Sequence, residues 1–278
     1  MTPMEFSKYE ATANDFIMLD RTSGGPGTVP ALAMALCDRR RGVGADGVIE
    51  VLPSGRCDLR MRILNADGSE AGMCGNGIRA LFLFALDRGI ATGDHITVET
   101  PAGDRLVRRH PGPGEDDFSV EMGAPRWLRR DVPMTGRPDE EAIGVELTVD
   151  GRSFEVTCVS MGNPHCVLFV QDLSSCDVGR LGPAIEVHEA FPERTNVEFA
   201  RVGPGDEVHL RVWERGVGET MACGTGACAS VVAASLGGLT GGNALVRVPG
   251  GTLEVQWDDR GVVLTGGARH VFDGKTVE

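Results

Sequence analysis

The sequence predicts an α+β protein of two pseudo-symmetric domains, each a bent, mostly antiparallel sheet wrapped around a central apolar helix. Three observations predict this. A glycine-rich stretch, ADGSEAGMCGNGIRALFLFAL at 66–86, recurs as GETMACGTGACASVVAASL at 218–236. Both read E-x-x-x-C-G-x-G-x-x-A, on Glu70, Cys74, Gly75, Gly77 and Ala80 or on Glu219, Cys223, Gly224, Gly226 and Ala229. The 149-residue offset extends well beyond them. Asn14 matches Asn163, and Val48 matches Val197. Leu59, Met61 and Ile63 match Val208, Leu210 and Val212, each set with the period-two alternation of a half-buried strand. Finally, the helix after Cys74 is apolar nearly all round, from Ile78 through Ala80 to Leu86, and such a helix must be enclosed by other elements.

Each half then reads, in order, as strand, loop, strand, a helix near 31–40 or 178–190, more strand, the Cys-Gly helix and hairpins. Pro101 and Gly103 mark a hairpin turn equivalent to the one at Pro249 and Gly251. The segment HPGPGEDD, 110–117, has the chemistry of a hairpin loop throughout. Residues 124–150, rich in proline and charge, read as the connection into the second half. The expected domains are 1–123 and its duplicate 124–267. The final segment 268–278, containing Arg269 to Asp273, is expected to return to the first.

Composition narrows the function. With 278 residues, 41% hydrophobic and 24% charged, the chain is an ordinary soluble globular protein. A net charge of −13 disfavours a nucleic-acid partner, and Arg108–Arg109, Arg126 and Arg129–Arg130 read as solvated charges. No apolar run approaches the roughly 18 residues of a membrane span, and no signal-peptide core opens the chain, so a cytoplasmic protein without a membrane partner is expected. The eight cysteines include no C-x-x-C pair and no adjoining histidine cluster, so no metal is expected. Cys37, Cys57, Cys158, Cys166, Cys176 and Cys228 read as small, mostly buried hydrophobes, leaving Cys74 and Cys223 in a distinctive setting. The only lysines are Lys8 and Lys275, neither in a plausible cofactor pocket, so a pyridoxal Schiff base is not expected and no cofactor is called for.

A helix start presents unpaired N–H groups and the positive end of the helix dipole. A cysteine placed there is expected to ionise more easily than the ordinary thiol. The glycines that follow let N–H groups approach an anion without an intervening Cβ. Two such turns suit removal of a proton alpha to a carboxylate by one thiolate, and its return from the opposite face by the other thiol. Taken on residues alone, a redox pair of thiols and a non-catalytic amino-acid binding protein stay open.

The chain closely resembles the diaminopimelate epimerase family. The matching motifs are NDF at 14–16, NADGSE at 65–70, CGNG at 74–77, MGNPH at 161–165, ERTNVEF at 193–199, ERG at 214–216 and ACGTGACA at 222–229. The proline racemases share the two Cys-Gly turns but lack the ERG and NADGSE motifs. The resemblance implies cofactor-independent epimerisation of LL-2,6-diaminopimelate to the meso form, in lysine biosynthesis, by a homodimer. It makes Cys74 and Cys223 the two acid/bases, with His165 and Glu214 tuning them. It assigns Gly75, Asn76, Gly224 and Thr225 to the reacting carboxylate, and Asn14, Asn65, Asn163, Asn196 and Arg215 to the distal amino-acid end; Glu214, by its own chemistry, suits a substrate ammonium. An arginine fork suits a remote carboxylate, and asparagines suit orientation. Two departures stand out: Ala11-Thr12-Ala13 where relatives carry glycine before NDF, and Met73 where many carry glutamine.

Overall fold

The structure, a computed structural model, describes residues 3–112 and 116–277. It divides into two compact units, residues 1–121 with 265–278 and residues 122–264.

The first unit begins with strands β1 (Glu5–Ala11) and β2 (Asn14–Asp20), helix α1 (Pro30–Cys37), and strands β3 (Gly47–Leu52), β4 (Leu59–Asn65) and β5 (Glu70–Ala71). Helix α2 (Gly75–Asp87) and strands β6 (His95–Glu99), β7 (Arg105–His110) and β8 (Asp117–Gly123) follow. β1 pairs antiparallel with β2, and β2 runs parallel to β3 because α1 supplies the crossover that a parallel pair requires. β3–β4, β6–β7 and β7–β8 are antiparallel, whereas β4–β6 is parallel across α2. Leu59, Met61 and Ile63 point inward as their alternation requires. α2 packs on β1, β2, β3, β4 and β7, and nearly every residue from Gly75 to Ala85 is buried.

The second unit repeats the plan. β9 (Val145–Val149), β10 (Arg152–Ser160) and β11 (Pro164–Phe169) lead to α3 (Val178–Glu186), β12 (Asn196–Val202), β13 (Glu207–Glu214) and β14 (Gly218–Thr220). Helix α4 (Gly224–Leu236), β15 (Asn243–Val248), β16 (Gly251–Asp258) and β17 (Gly261–Gly267) follow, and β18 (Arg269–Lys275) ends the chain. The pairings recur in order: β10–β11 antiparallel, β11–β12 parallel, β12–β13 antiparallel, β13–β15 parallel and β15–β16 antiparallel. α4 lies against β10, β11, β12, β13, β15 and β16. The hairpin turns at Pro101–Gly103 and Pro249–Gly251 fall between the paired strands β6–β7 and β15–β16.

Three expectations change. Residues 124–150 are more than a connection: Val132, Met134, Ala142, Leu147 and Val149 are buried in the second unit's core. Within that stretch β9 pairs with β10 as β18 pairs with β1, so the outer neighbour comes from the adjoining hairpin strand in the second unit and from the end of the chain in the first. The helix expected at 31–40 stops at Cys37, because the Asp38 carboxylate takes the N–H groups of Arg40 and Arg41 into a turn. The helix expected at 178–190 stops at Glu186, three residues beyond the interior Pro183. Residues 113–115 of the 110–117 loop lie outside the described residues; β7 and β8 pair on either side of them.

Candidate active site

In the first unit the turn between β5 and α2 ends on Cys74, the N-cap of α2, with extended backbone (φ −138°, ψ 117°). Its Sγ accepts the Gly77 N–H at 3.4 Å. The helical ladder starts with Ile78 N–H on the Cys74 carbonyl, so the N–H groups of Gly75 and Asn76 have no acceptor within the helix. At Gly77 a Cβ would sit 2.8 Å from Ile49 Cδ1, so a side chain there would oblige that methyl to move.

Asn14 opens β2 beside this turn. Its Nδ2 donates to Asp46 Oδ2 at 2.7 Å, an acceptor-only atom, which fixes the amide orientation. The remaining Oδ1 faces Cys74 Sγ at 3.7 Å and Asn76 Nδ2 at 3.4 Å. Behind it, Lys8 pairs with Asp15 at 2.6 Å, and Arg39 bridges Asp15 and Asp46 at 2.7 Å each. Burial alone would raise the Asp15 carboxyl, but the hydrogen bonds and charges of Arg39 and Lys8 outweigh it and hold Asp15 at about 2. Asn65 closes the β4–β5 turn, its Nδ2 on Ser69 Oγ at 2.9 Å.

Beneath the turn lies a residue that the reading of an all-apolar helix passed over. Arg79 is fully buried. Its guanidinium donates to the Gly75 carbonyl (3.2 Å), Asn76 Oδ1 (3.1 Å), Thr12 Oγ1 (2.8 Å) and the Gly267 carbonyl (3.4 Å). Thr12 and Ala13 occupy the left-handed region (φ 54° and 59°) in the two-residue turn between β1 and β2, where relatives' glycine would carry no strain. Arg79 therefore ties a strained turn to the cysteine turn. Its signal was present as the single charge in GIRALFLFAL.

The second unit builds the same cap from Cys223 (φ −126°, ψ 114°), whose Sγ accepts the Gly226 N–H at 3.4 Å. Thr225 Oγ1 also lies 3.4 Å from this sulfur. The surroundings differ from the first unit. His165 and Glu198, on adjacent strands β11 and β12, are wholly buried and joined Nδ1 to Oε1 at 2.7 Å. His165 Nε2 faces Asn163 Oδ1 at 3.1 Å, and Asn163 Nδ2 donates to Thr225 Oγ1 at 3.3 Å. A Cβ on Gly226 would lie 2.7 Å from Glu198 Oε1. The sequence reading of this region did not single out Glu198; its signal was an acid inside the otherwise buried strand NVEF.

The expectation of a more acidic thiol at the helix start does not hold for Cys223. Burial pushes this thiol well above the usual range, reinforced by the carboxylates of Glu214 and Glu198 and opposed by the Thr225 and Gly226 hydrogen bonds. Desolvation of a thiolate in this buried position outweighs one helix end. Glu214 ends β13 with Oε1 on Thr220 Oγ1 at 2.5 Å. Asn196 is consumed by backbone: Nδ2 donates to the Pro164 carbonyl (2.8 Å), and Oδ1 accepts the Arg215 N–H (2.9 Å). Arg215 itself is exposed, with Nη1 on the Glu193 carbonyl at 3.1 Å. Thus Asn14, Asn76 and Cys74 gather in one unit, and Asn163, His165, Thr225 and Cys223 in the other. Gly224 is the first residue of α4, and its N–H, like that of Gly75, has no helical acceptor.

The family profile described as "Diaminopimelate epimerase" matches residues 6–128 and 157–271. The diaminopimelate epimerase of Desulforudis audaxviator is 50% identical over 279 residues, covering 99% of each chain. That of Desulfitobacterium hafniense is 48% identical over 280 residues, again covering 99% of each. Among solved structures, a Bacillus anthracis phenazine biosynthesis protein of the PhzF family superposes with a TM-score of 0.73 at 19% identity, covering all of both chains. A hydroxyproline epimerase from Agrobacterium vitis gives 0.71 at 16%, covering 99% of this chain and 92% of the other. These distant likenesses establish the fold, with its two pseudo-symmetric domains. Matched along nearly its whole length by the family profile and by relatives of about half identity, the chain belongs to the diaminopimelate epimerase family and is an isomerase of the racemase and epimerase type.

Proposed function

We propose that the protein epimerises LL-2,6-diaminopimelate to meso-diaminopimelate by a two-base mechanism in which Cys74 and Cys223 act from opposite faces of the α-carbon. The observation that carries the mechanism is the repeated cap: two cysteines, in like backbone geometry, each stand at the head of a buried helix behind two N–H groups without helical acceptors. One sulfur, as thiolate, takes the Cα proton and becomes S–H. The electron pair left on carbon spreads into the adjacent carboxylate. The other S–H then delivers its proton to the opposite face and becomes thiolate, so configuration inverts and protons balance. The N–H groups of Gly75, Asn76, Gly224 and Thr225 stabilise the charge building on that carboxylate, each good donor being worth about 3 kcal/mol. Burial makes the Cys223 thiol a weaker acid, so its surroundings favour the protonated form that can donate to carbon.

Asn14, Asn65 and Asn163 orient the remote amino-acid end, and Arg215 receives its carboxylate. Asn196 serves that arginine by holding its backbone. Glu214 stands near the Cys223 thiol and is available to a substrate ammonium. The reading includes a homodimeric, cytoplasmic protein. No helix among the described residues is long and apolar enough to cross a membrane. In deuterated buffer under reducing conditions, the wild type is expected to exchange the substrate α-proton while inverting it, and Cys74→Ala and Cys223→Ala each to abolish inversion. Inversion surviving in either variant would refute the two-base assignment.

A further inference from the structure

The two caps are alike, but what lies under them is not. At the 149-residue offset Phe16 stands where the second unit has His165, and Ile49 where it has Glu198. All four side chains are buried. A Cβ on Gly77 would meet Ile49 and Phe16, whereas one on Gly226 would meet Glu198. A buried ionisable pair, costly to desolvate, thus occupies a place that the other unit fills with hydrocarbon. Glu198 Oε2 has no hydrogen-bond partner among the described residues, and burial pushes this carboxyl up against the stabilising proton of His165. Nothing in the packing of the first unit's equivalent site requires such a pair.

The hydrogen bonds leading away from it have a definite polarity. Both His165 nitrogens face oxygens, Glu198 Oε1 and Asn163 Oδ1, so with Glu198 as carboxylate both are satisfied only when the ring carries two protons. Asn163 Nδ2 then donates to Thr225 Oγ1, which leaves the Thr225 hydrogen for Cys223 Sγ. In this arrangement the sulfur is an acceptor, as a thiolate is. If His165 loses its Nε2 proton, the Asn163 amide turns over and every bond reverses: Nδ2 donates to Nε2, Oδ1 accepts from Thr225, and Thr225 accepts from the Cys223 S–H. Asn14 cannot turn in this way, because Asp46 pins its Nδ2.

The geometry points to Glu198 as a positioning residue for the Cys223 thiol: by keeping the second proton on His165, it sets the polarity of the chain through Asn163 and Thr225 that lets this sulfur carry charge. The inference rests on the two-base reading for its purpose. Cys223 must be a thiolate for half of the catalytic cycle, and the groups facing it (Glu214 from β13, Glu198 from β12, burial itself) all oppose that form. The His165 proton, relayed as a hydrogen bond from Thr225, and the Gly226 N–H support it.

A thiolate-absorbance titration tests the relay, each protein being measured against the same protein carrying Cys223→Ala. Relay predicts that Glu198→Gln moves Cys223 ionisation to higher pH by about one unit or more, since the amide no longer holds the imidazolium. It also predicts a fall in kcat of tenfold or more with KM within about twofold, partly restored in Glu198→Asp. A bystander carboxylate predicts the opposite sign, because removing a neighbouring anion favours the thiolate. A downward shift, or none, overturns the proposal. Should Glu198→Gln not fold, the double variant His165→Phe with Glu198→Ile copies the first unit's own packing and is read the same way, upward for relay and downward or unmoved against it. The titration needs no turnover. Absence of α-proton exchange in the wild type would therefore sink the epimerase mechanism without bearing on the relay.

Discussion

Replacing Gly226 by alanine, with Gly77→Ala as its control, separates the two caps by a single methyl group. At Gly226 the new carbon would lie 2.7 Å from Glu198 Oε1 and 3.4 Å from Cys223 Sγ. The carboxylate cannot step aside: it is wholly buried and bound to His165 at 2.7 Å. Overpacking of this kind costs about 1–3 kcal/mol, and weakening a charged hydrogen bond costs about 1.5–3 kcal/mol. Alanine's helix preference returns at most about 1 kcal/mol. A net loss of about 2–5 kcal/mol follows. At Gly77 the obstacle is Ile49 Cδ1 at 2.8 Å, the far end of a side chain that can change rotamer for about 0.5–1.5 kcal/mol. The same helix preference offsets most of that, leaving about 0–1 kcal/mol. The assay is built into the chain, since all three tryptophans, Trp127, Trp213 and Trp257, lie in the second unit. Tryptophan fluorescence during urea unfolding should show an early transition in Gly226→Ala and an unchanged one in Gly77→Ala. Equal shifts in the two variants, or an unmoved transition in Gly226→Ala, would refute the claim that the rigid Glu198 carboxylate sets the space above it.

Two further outcomes follow from the first unit. Arg79→Met strips four oxygens of their donor and releases the strained Thr12–Ala13 turn, so a loss of roughly 3 kcal/mol or more is expected. Hydrogen exchange should localise the added opening to α2 and the β1–β2 turn, and protection equal to wild type there would contradict the role. The depressed Asp15 carboxyl gives the unit an acid-sensitive term. Its folded value, about 2, lies below the ordinary 3.8, so its stabilisation is complete above about pH 4 and is lost as pH falls through 2. Asp15→Asn should flatten the pH dependence of first-unit hydrogen exchange in that window, and an unaltered slope would assign the acid sensitivity elsewhere.

Much of this protein is legible in its residues because it is local. Strand alternation at Leu59–Ile63 and Val208–Val212 reports burial two residues at a time. A cysteine three residues ahead of Gly77 or Gly226 caps its helix by its own spacing, and the duplication follows from repeating both at one offset. The third dimension decided what stands under each cap. Phe16, Ile49, His165 and Glu198 sit far along the chain from the cysteines, and they meet the turns only through the parallel register of β2 on β3 and of β11 on β12. Arg79, one charge in an apolar helix, acquired its partners only when folding closed Thr12 and Gly267 around it. Cys223 looked like an acidic thiol until enclosure, a property of the whole unit, outweighed the helix end on which it stands. Local chemistry is written in spacing, whereas solvation and long-range partners exist only once the chain has closed on itself.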